Sequence, residues 1–462
     1  MNERLDAAVA ALHAQAVDTL RRWIRVPSEK MPAEAGAPFG RPLRDMLTLA
    51  LEDAKNLGMQ TRDFDGYIGE AEIGEGEETM GILAHLDVVP AGDGWQVDPY
   101  GAVVEDGKMY GRGTSDDKGP AVAALFAMKA VLDAGIPLKR KVRLILGCDE
   151  ESGWEDIRHY QQARKMPDFG FSPDASYPVI NTEKGIEQLR LYAALPGDES
   201  GASYPVYSVT AGERPNVIPG LATAEIGCAD LDALRRALEQ TGLDVTAEAA
   251  GPNRARIVSH GVTGHASMPA FGKNAAGQLL LALSAIGAGG GVQPVIRRLA
   301  ETIGMDFTGK GLGIDGQDAI SGALTLNLGV LRITPDGLEA LLDIRHPVLM
   351  NGEMIRRIVG LRLEDLGIRV ETASYKAPLH VPEQSRIVSS LLKVYYEVTG
   401  NEPRAIAIGG GTYSRSMDNC VAFGCTLPGH PDLAHQAGEH MALDHLLLHM
   451  RVFAHAIAEL AG

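Results

Sequence analysis

The chain has 462 residues, 45% of them hydrophobic, and a formal net charge of -17. That length exceeds what one ordinary core encloses, so two or more domains are expected. The acidic balance and the lack of a long Lys/Arg block argue against nucleic acid or an anionic membrane as partner.

The first stretch, MNERLDAAVAALHAQAVDTLRRWIRVPS, carries apolar residues at helical spacing. It predicts an amphipathic helix rather than a signal peptide, because no compact apolar core with a cleavage site follows. No apolar run approaches the roughly 20 residues of a spanning helix. Cys148, Cys228, Cys420 and Cys425 form no CxxC pair, so neither a disulfide framework nor a zinc knuckle is indicated. A soluble, cytoplasmic protein is expected.

GILAHLDVVP, Gly81 to Pro90, reads as a buried strand that nevertheless contains His85 and Asp87. Strand side chains alternate, so these two polar groups share a face. Each would cost about 1–3 kcal/mol if buried without a partner. Something at the strand end must satisfy them. PAVAALFAMKAVLDAG (Pro120 to Gly135) then predicts a helix with Pro in its first turn and Gly just past its end. KVRLILGC (Lys141 to Cys148) predicts a second buried strand. Strand, helix and strand make a parallel unit, whose sites form at the carboxyl ends of its strands. His85, Asp87 and the run Asp149–Glu150–Glu151 fall there.

From about Leu189 the pattern changes to strand pairs, YPVYSVTAGERPNVIPGLATAEIGCA and ALTLNLGVLRITPDGLEALLDIRHPV, with helical stretches between them. An α+β domain of antiparallel sheet and helices is expected, and the two strand groups hint at a duplication. QSRIVSSLLKVYYEVTG (Gln384 to Gly400) and the terminal LDHLLLHMRVFAHAIAELAG return to amphipathic helix. The middle therefore reads as an insertion into a domain built from both ends of the chain.

Acid and imidazole concentrate in AHLD, GRGTSDDKGP, GCDEESGW and SPDASYP, and again in the late AHQAGEH. Taken singly, HxD is a core pair, DD a turn or helix cap, and DEE a solvated turn. GRGTSDDKG lacks the order of a phosphate loop, and its clustered Asp residues would repel phosphate. Taken together at successive strand ends, crowded carboxylates repel unless a cation compensates. Carboxylate with imidazole suits Zn²⁺, with Mn²⁺ or Co²⁺ as relatives.

The order HLDVVP, WxxDP (Trp95, Asp98, Pro99), YGRGTSDDKGP, DEESGW, PD and HQAxE resembles the dinuclear zinc peptidases of the carboxypeptidase G, aminoacylase and carnosinase family, its bacterial dipeptidases above all. The resemblance spans nearly the whole chain. It implies an α/β fold, with a mixed, largely parallel sheet flanked by helices and an inserted α+β lid domain. The implied boundaries are 1–184 and 378–462 for the catalytic domain and 185–377 for the lid. It implies two zinc ions, one held by Glu151, Asp116 and His435 and the other by His85, Asp116 and Asp174. It further implies Glu150 as catalytic base, Asp87 as the residue orienting His85, and a cis peptide between Asp116 and Asp117. His265 of GVTGHASMP matches the lid histidine that stabilises the oxyanion. Asn216, Arg345 and the glycines of GGGTYSR, Gly410 and Gly411 among them, match substrate contacts.

The tail motif departs from the family's usual HQANEY: Gly438 stands for Asn and His440 for Tyr. His440 competes with His435 as ligand, and alignment with HQA favours His435. The implied activity is hydrolysis of unblocked dipeptides, β-alanyl dipeptides among them, by a monomer. The alternatives are a deacylase of N-acyl amino acids and a metal-binding protein without activity; the latter would be expected to lack Glu150.

Overall fold

The computed structural model describes residues 2–195, 197 and 202–462. The chain divides into two compact units, Met1–Asn181 with His380–Ile406 and Gly411–Gly462, and Thr182–Leu379 with Ala407–Gly410.

The first unit is built on a mixed sheet. Its strands run in the order Gln60–Phe64, Ile68–Ile73, Lys141–Gly147, Thr79–His85, Phe169–Ser172, Cys420–Ala422 and Val179–Glu183. The four from Lys141–Gly147 to Cys420–Ala422 are parallel, and antiparallel neighbours flank them. All seven residues of Thr79–His85 are buried, as befits a central parallel strand covered on both faces. The strand stops at His85, so Asp87 lies just past the ladder. The two polar groups are both buried, but strand alternation does not govern the second.

The crossover helix spans Lys118–Asp133, with Pro120 in its first turn, and Gly135 beyond its end has a positive φ of 62°. Nearly every residue in it is buried, because it lies between the sheet and the helices Glu3–Ile24 and Leu443–Ala461. Its first residue, Lys118, is fully buried and donates to the carbonyls of Trp23 (3.1 Å) and Val26 (2.8 Å). It thereby adds a donor to carbonyls at the end of the first helix. Burial draws the Lys118 ammonium pKa down to about 7. The returning helix Arg386–Thr399 is capped by the Ser385 side chain on the Val388 N–H and ends at Gly400, φ 73°.

The second unit holds an eight-stranded antiparallel sheet. Its order is Val245–Gly251, Arg254–His260, Leu221–Gly227, Val206–Ala211, Thr325–Thr334, Gly337–His346, Gly185–Ala194 and Arg369–Lys376. The expected duplication is visible here. In each half a hairpin (Val206–Ala211 with Leu221–Gly227, or Thr325–Thr334 with Gly337–His346) leads into a helix (Leu231–Glu239 or Gly352–Leu363). The strand after that helix takes the outer edge in both halves. Leu191, Ile226, Ile257, Leu331 and Leu342 join Leu279 and Leu283 of the helix Ala275–Ala285 in one core. No single helix among the described residues is long and apolar enough to cross a membrane.

Candidate metal centre

The end of the strand Thr79–His85, the loops after Lys141–Gly147 and Phe169–Ser172, the segment before the crossover helix and one loop near the C-terminus bring the acidic and imidazole groups of the first unit together. Asp116 is central. Its Oδ1 lies 2.9 Å from His85 Nε2, and its Oδ2 lies 3.0 Å from His435 Nε2. Asp174 Oδ2 approaches His85 Nε2 at 3.7 Å, and Glu151 Oε1 approaches His435 Nε2 at 2.8 Å. The result is two groups, His85–Asp116–Asp174 and Asp116–Glu151–His435, each with its donor atoms within 4.8 Å of one another. They share one carboxylate through different oxygens. The Asp116–Asp117 peptide is cis, as the family resemblance implies.

Buried carboxylates hold these loops by accepting backbone N–H groups. Glu439 is fully buried, and its Oε1 accepts from Gly113 (3.0 Å), Ser115 (2.8 Å) and Asp116 (3.2 Å), while its Oε2 meets Arg112 Nη1 at 2.6 Å. The loop that carries Asp116 is thus wrapped around one side chain from the late motif. Asp87 accepts from the N–H groups of Glu150 (3.2 Å) and Glu151 (3.0 Å). Its carboxylate also lies 3.4 Å from His85 Nδ1, but the shorter contact to that nitrogen, 2.9 Å, comes from the Asp87 backbone carbonyl. The expectation that Asp87 orients His85 thus acquires two parts: its main chain faces the ring and its side chain holds the Glu150–Glu151 turn. Asp156 plays a parallel part, accepting from Cys148 N–H (2.7 Å) and Asp149 N–H (3.0 Å) and from the Tyr413 hydroxyl. Tyr413 in turn sets its ring edge-on to His85, 6.2 Å between centroids.

The electrostatics are those of a crowded anionic site. Burial, then the Asp116 charge, pushes the Asp174 carboxyl up to about 8. The same two causes raise Glu151, and burial followed by the Asp174 charge raises Asp117 well above the usual carboxylate range. Burial works against protonation of His435, yet its bonds to Asp116 and Glu151 prevail and lift the imidazole to about 11. His85 follows the same pattern through Asp116 and Asp87. Protons here do the work of a counter-cation: the imidazoles are held charged and Asp174 neutral, while Asp116, though buried, is kept well below the usual carboxylate range by its bonds to His435 and His85. A divalent cation would replace those protons, and the donor set of two imidazoles and three carboxylates fits zinc or manganese.

The remaining expected residues lie in or at the edge of the second unit. Val217–Ile218 pairs with Gly264–His265 in a short antiparallel ribbon, and the Asn216 carbonyl accepts from Ala266 N–H at 2.9 Å. Asn216 and His265 are therefore neighbours. Ser267 N–H donates to His265 Nδ1 at 3.1 Å, which makes that nitrogen an acceptor and places the proton of the neutral ring on Nε2. Arg345 is buried. Its Nε and Nη2 lie 2.5 and 3.1 Å from the Asp343 carboxylate, and its Nη1 donates to the Gly409 carbonyl at 2.8 Å. The arginine fork already holds a carboxylate of its own chain. Gly410 closes the second unit and Gly411 resumes the first. A Cβ on neighbouring Gly409 would come within 2.9 Å of the Ser267 Cβ, so the backbone there runs close to the His265 loop.

Residue-by-residue reading missed several supports. Asp156 sits in the first turn of the helix Glu155–Ala163, where an acid reads as a favourable helix-end charge. Asn327, buried in the second unit, donates to the carbonyls of Pro215 and Val217, both at 2.9 Å, and so braces the ribbon of His265. An Asn between the leucines of the strand TLNLGVLRIT was the available signal.

A mixed α/β sheet carrying paired metal-ligand groups at its strand ends, with an α+β unit inserted, defines a metallopeptidase-type fold. The sequence profile of Peptidase family M20/M25/M40 matches residues 81–459, and the chain belongs to that family. It is 38% identical over 451 residues to the putative dipeptidase YtjP of Bacillus subtilis, covering 96% of each chain. It is 36% identical over 429 residues to the Beta-Ala-Xaa dipeptidase of Lactobacillus delbrueckii subsp. lactis, covering 92% of this chain and 90% of the other. Among solved structures, human carnosine dipeptidase 1 has the same fold, with a TM-score of 0.63 at 16% identity over 99% of this chain and 98% of that one.

Proposed function

We propose that this chain is a metal-dependent dipeptidase whose water-activating centre is built on Asp116. The observation that carries the proposal is the sharing of that carboxylate: one oxygen faces each of two three-residue donor groups. The names of the relatives from Bacillus and Lactobacillus support the substrate class.

His85, Asp116 and Asp174 would hold one zinc ion, and Asp116, Glu151 and His435 the second, with Mn²⁺ or Co²⁺ as substitutes. Two such ions supply Lewis acidity for a peptide carbonyl and lower the pKa of a water toward neutrality. The chain's own residues do the rest. Glu150 precedes Glu151 on the turn whose N–H groups Asp87 accepts, and it is not one of the donor groups, which supports a role for its carboxylate as base rather than ligand. It takes a proton from the attacking water and delivers it to the leaving amine. His265, protonated on Nε2 by virtue of its Ser267 bond, donates to the developing oxyanion. Asn216, Gly410 and Gly411 contact substrate through polar and backbone groups. Arg345 serves the substrate carboxylate by exchanging its bond to Asp343, or acts through Gly409 by holding the glycine-rich segment.

In this proposal residues 1–184 and 378–462 form the catalytic domain and 185–377 the lid. The lid's doubled hairpin–helix–strand plan makes it large enough to serve its own chain, and the protein works as a monomer. Mixing His265→Ala with Glu150→Ala protein tests that point: restored activity would mean that the histidine crosses between chains.

The decisive experiment pairs metal analysis with a substrate panel. Alanyl and β-alanyl dipeptides should be cleaved, and N-acetyl amino acids should be poor substrates. Glu150→Gln should lower kcat by about 10²–10⁴-fold with metal content unchanged. Preference for the N-acetyl compounds would transfer the assignment to a deacylase, and full activity in Glu150→Gln would assign the base elsewhere.

A further inference from the structure

Several histidines of the first unit lie outside the metal groups, and four of them share one place. His430, His440, His445 and His449 all line one cavity of about 600 Å³. None belongs to the two donor groups around Asp116. His445 and His449 lie one turn apart on the helix Leu443–Ala461, in the sequence HLLLH, and so project from the same helix face. Two histidines at that spacing are a recurrent zinc pair on helices. His430, on the loop before the late motif, completes the set from the opposite side. Its ring stands edge-on to that of His445, 4.9 Å between centroids. Two imidazoles on one tetrahedral ion place their centroids roughly 5 Å apart, given Zn–N bonds of about 2.0–2.1 Å.

We propose that this cavity is a separate binding site for one late-transition-metal ion, with His430 and His445 as its primary ligands and His449 as the third. The chemistry of the lining favours such an ion over a hard one: the donors are imidazoles, with only Asp106 and Asp444 as carboxylates and a single cation, Lys108. Those three charged groups leave the wall anionic. Access is open, since His430 is exposed while His445 is half-buried and His449 fully buried. The Tyr177 hydroxyl lies 3.3 Å from His449 Nδ1 and orients the ring, which leaves its Nε2 for the cavity.

The three donor nitrogens are not converged as they are around Asp116, and an ion would have to turn the rings toward one point by side-chain rotation. Affinity should therefore be lower than at the Asp116 centre. The site also borders that centre, for the cavity wall includes Ser115, which precedes Asp116, and Cys425, paired in register with Ala175 beside Asp174.

Equilibrium dialysis of the intact, metal-loaded protein against increasing Zn²⁺ tests the inference, with bound metal counted per chain. Wild-type protein should take up one ion more than either His430→Gln or His445→Gln protein, and the extra ion should be the first removed by a mild chelator. Equal uptake by wild type and both variants would overturn the proposal, as would an extra ion that leaves last. His430→Gln alters an exposed side chain and serves as the deciding variant if His445→Gln fails to fold. Dipeptide hydrolysis plays no part in this readout, so the outcome is independent of the dipeptidase reading.

Discussion

The two units solve the problem of placing polar groups in opposite ways. In the first, the candidate ligands His85 and Asp116 are 1% and 9% exposed, with only His435 of the donor groups exposed, and buried Asp87, Asp156 and Glu439 hold the neighbouring loops through at least two backbone N–H groups each. In the second, His265 is exposed on a two-residue ribbon, fixed by Ser267 and by Asn327 beneath it. The first arrangement gives rigidity, because a buried carboxylate that loses an N–H partner pays a desolvation cost. The second places the histidine on a short ribbon held by contacts within its own unit. Damage to the first unit should therefore appear in metal binding, and damage to the second in turnover alone.

The sharpest test of that contrast is His265→Ala. Loss of one oxyanion donor lowers kcat by about 10²–10³-fold in comparable sites. The contrast requires bound metal, counted by elemental analysis, to stay at the wild-type level. Metal loss on removing an exposed side chain of the other unit would break the division of labour.

Glu439→Gln probes the first unit with a smaller expected effect. The amide keeps the shape but weakens acceptance from three N–H groups and the ion pair with Arg112. Metal affinity should fall by about 10–100-fold, as for other residues that orient ligands. Chelator competition measures it directly, and unchanged affinity would show that the loop holds itself.

Protons should compete with the metal at the same centre. In the metal-free chain His435 titrates near 11 and Asp174 near 8, so both carry a proton at pH 7. Metal binding at pH 7 should then release protons, and affinity should rise with pH by up to about tenfold per unit for each proton released. Calorimetry in buffers of different ionisation enthalpy counts them. Zero release at pH 7 would mean that the site is already deprotonated.

The contrast also explains what could be read from the chain alone. HLD, SDDKG, DEE and HQA were legible because ligand chemistry demands rare residue types in clusters, and the parallel sheet delivers their loops to one end. The crossover helix was legible from Pro120 and Gly135, although it starts two residues early at Lys118, whose buried ammonium no apolar pattern would place there. Asp156, Tyr413 and Asn327 were not legible. Each acts on backbone or side chains brought near by folding, and a lone Asp in a first turn or Asn in a strand has several commoner uses. Arg345 was legible as a carboxylate-binding fork, but its carboxylate in this structure is Asp343, two residues away on the same strand.

The smallest expected effect lies where the first and last helices meet. Asp6 of the first helix accepts from Arg451 Nε (2.6 Å) and Nη2 (3.0 Å) on the last helix, and His455 Nε2 lies 2.9 Å away. Hydrogen bonding from Arg451 holds the Asp6 carboxyl below its ordinary value, with partial burial opposing. A lowered acid stabilises the fold when ionised, so its contribution is present above the unfolded carboxylate range and disappears as pH falls through the folded value. The pair is partly exposed, which limits its worth to about 0.5–1 kcal/mol. A double-mutant cycle of Asp6→Asn and Arg451→Met, followed by chemical unfolding of the first unit's signal, isolates that coupling. It should be measurable at pH 7 and fade toward pH 3. A coupling that grew on acidification would mean that Asp6 acts in its neutral form, as a plain hydrogen-bonding group between the two helices.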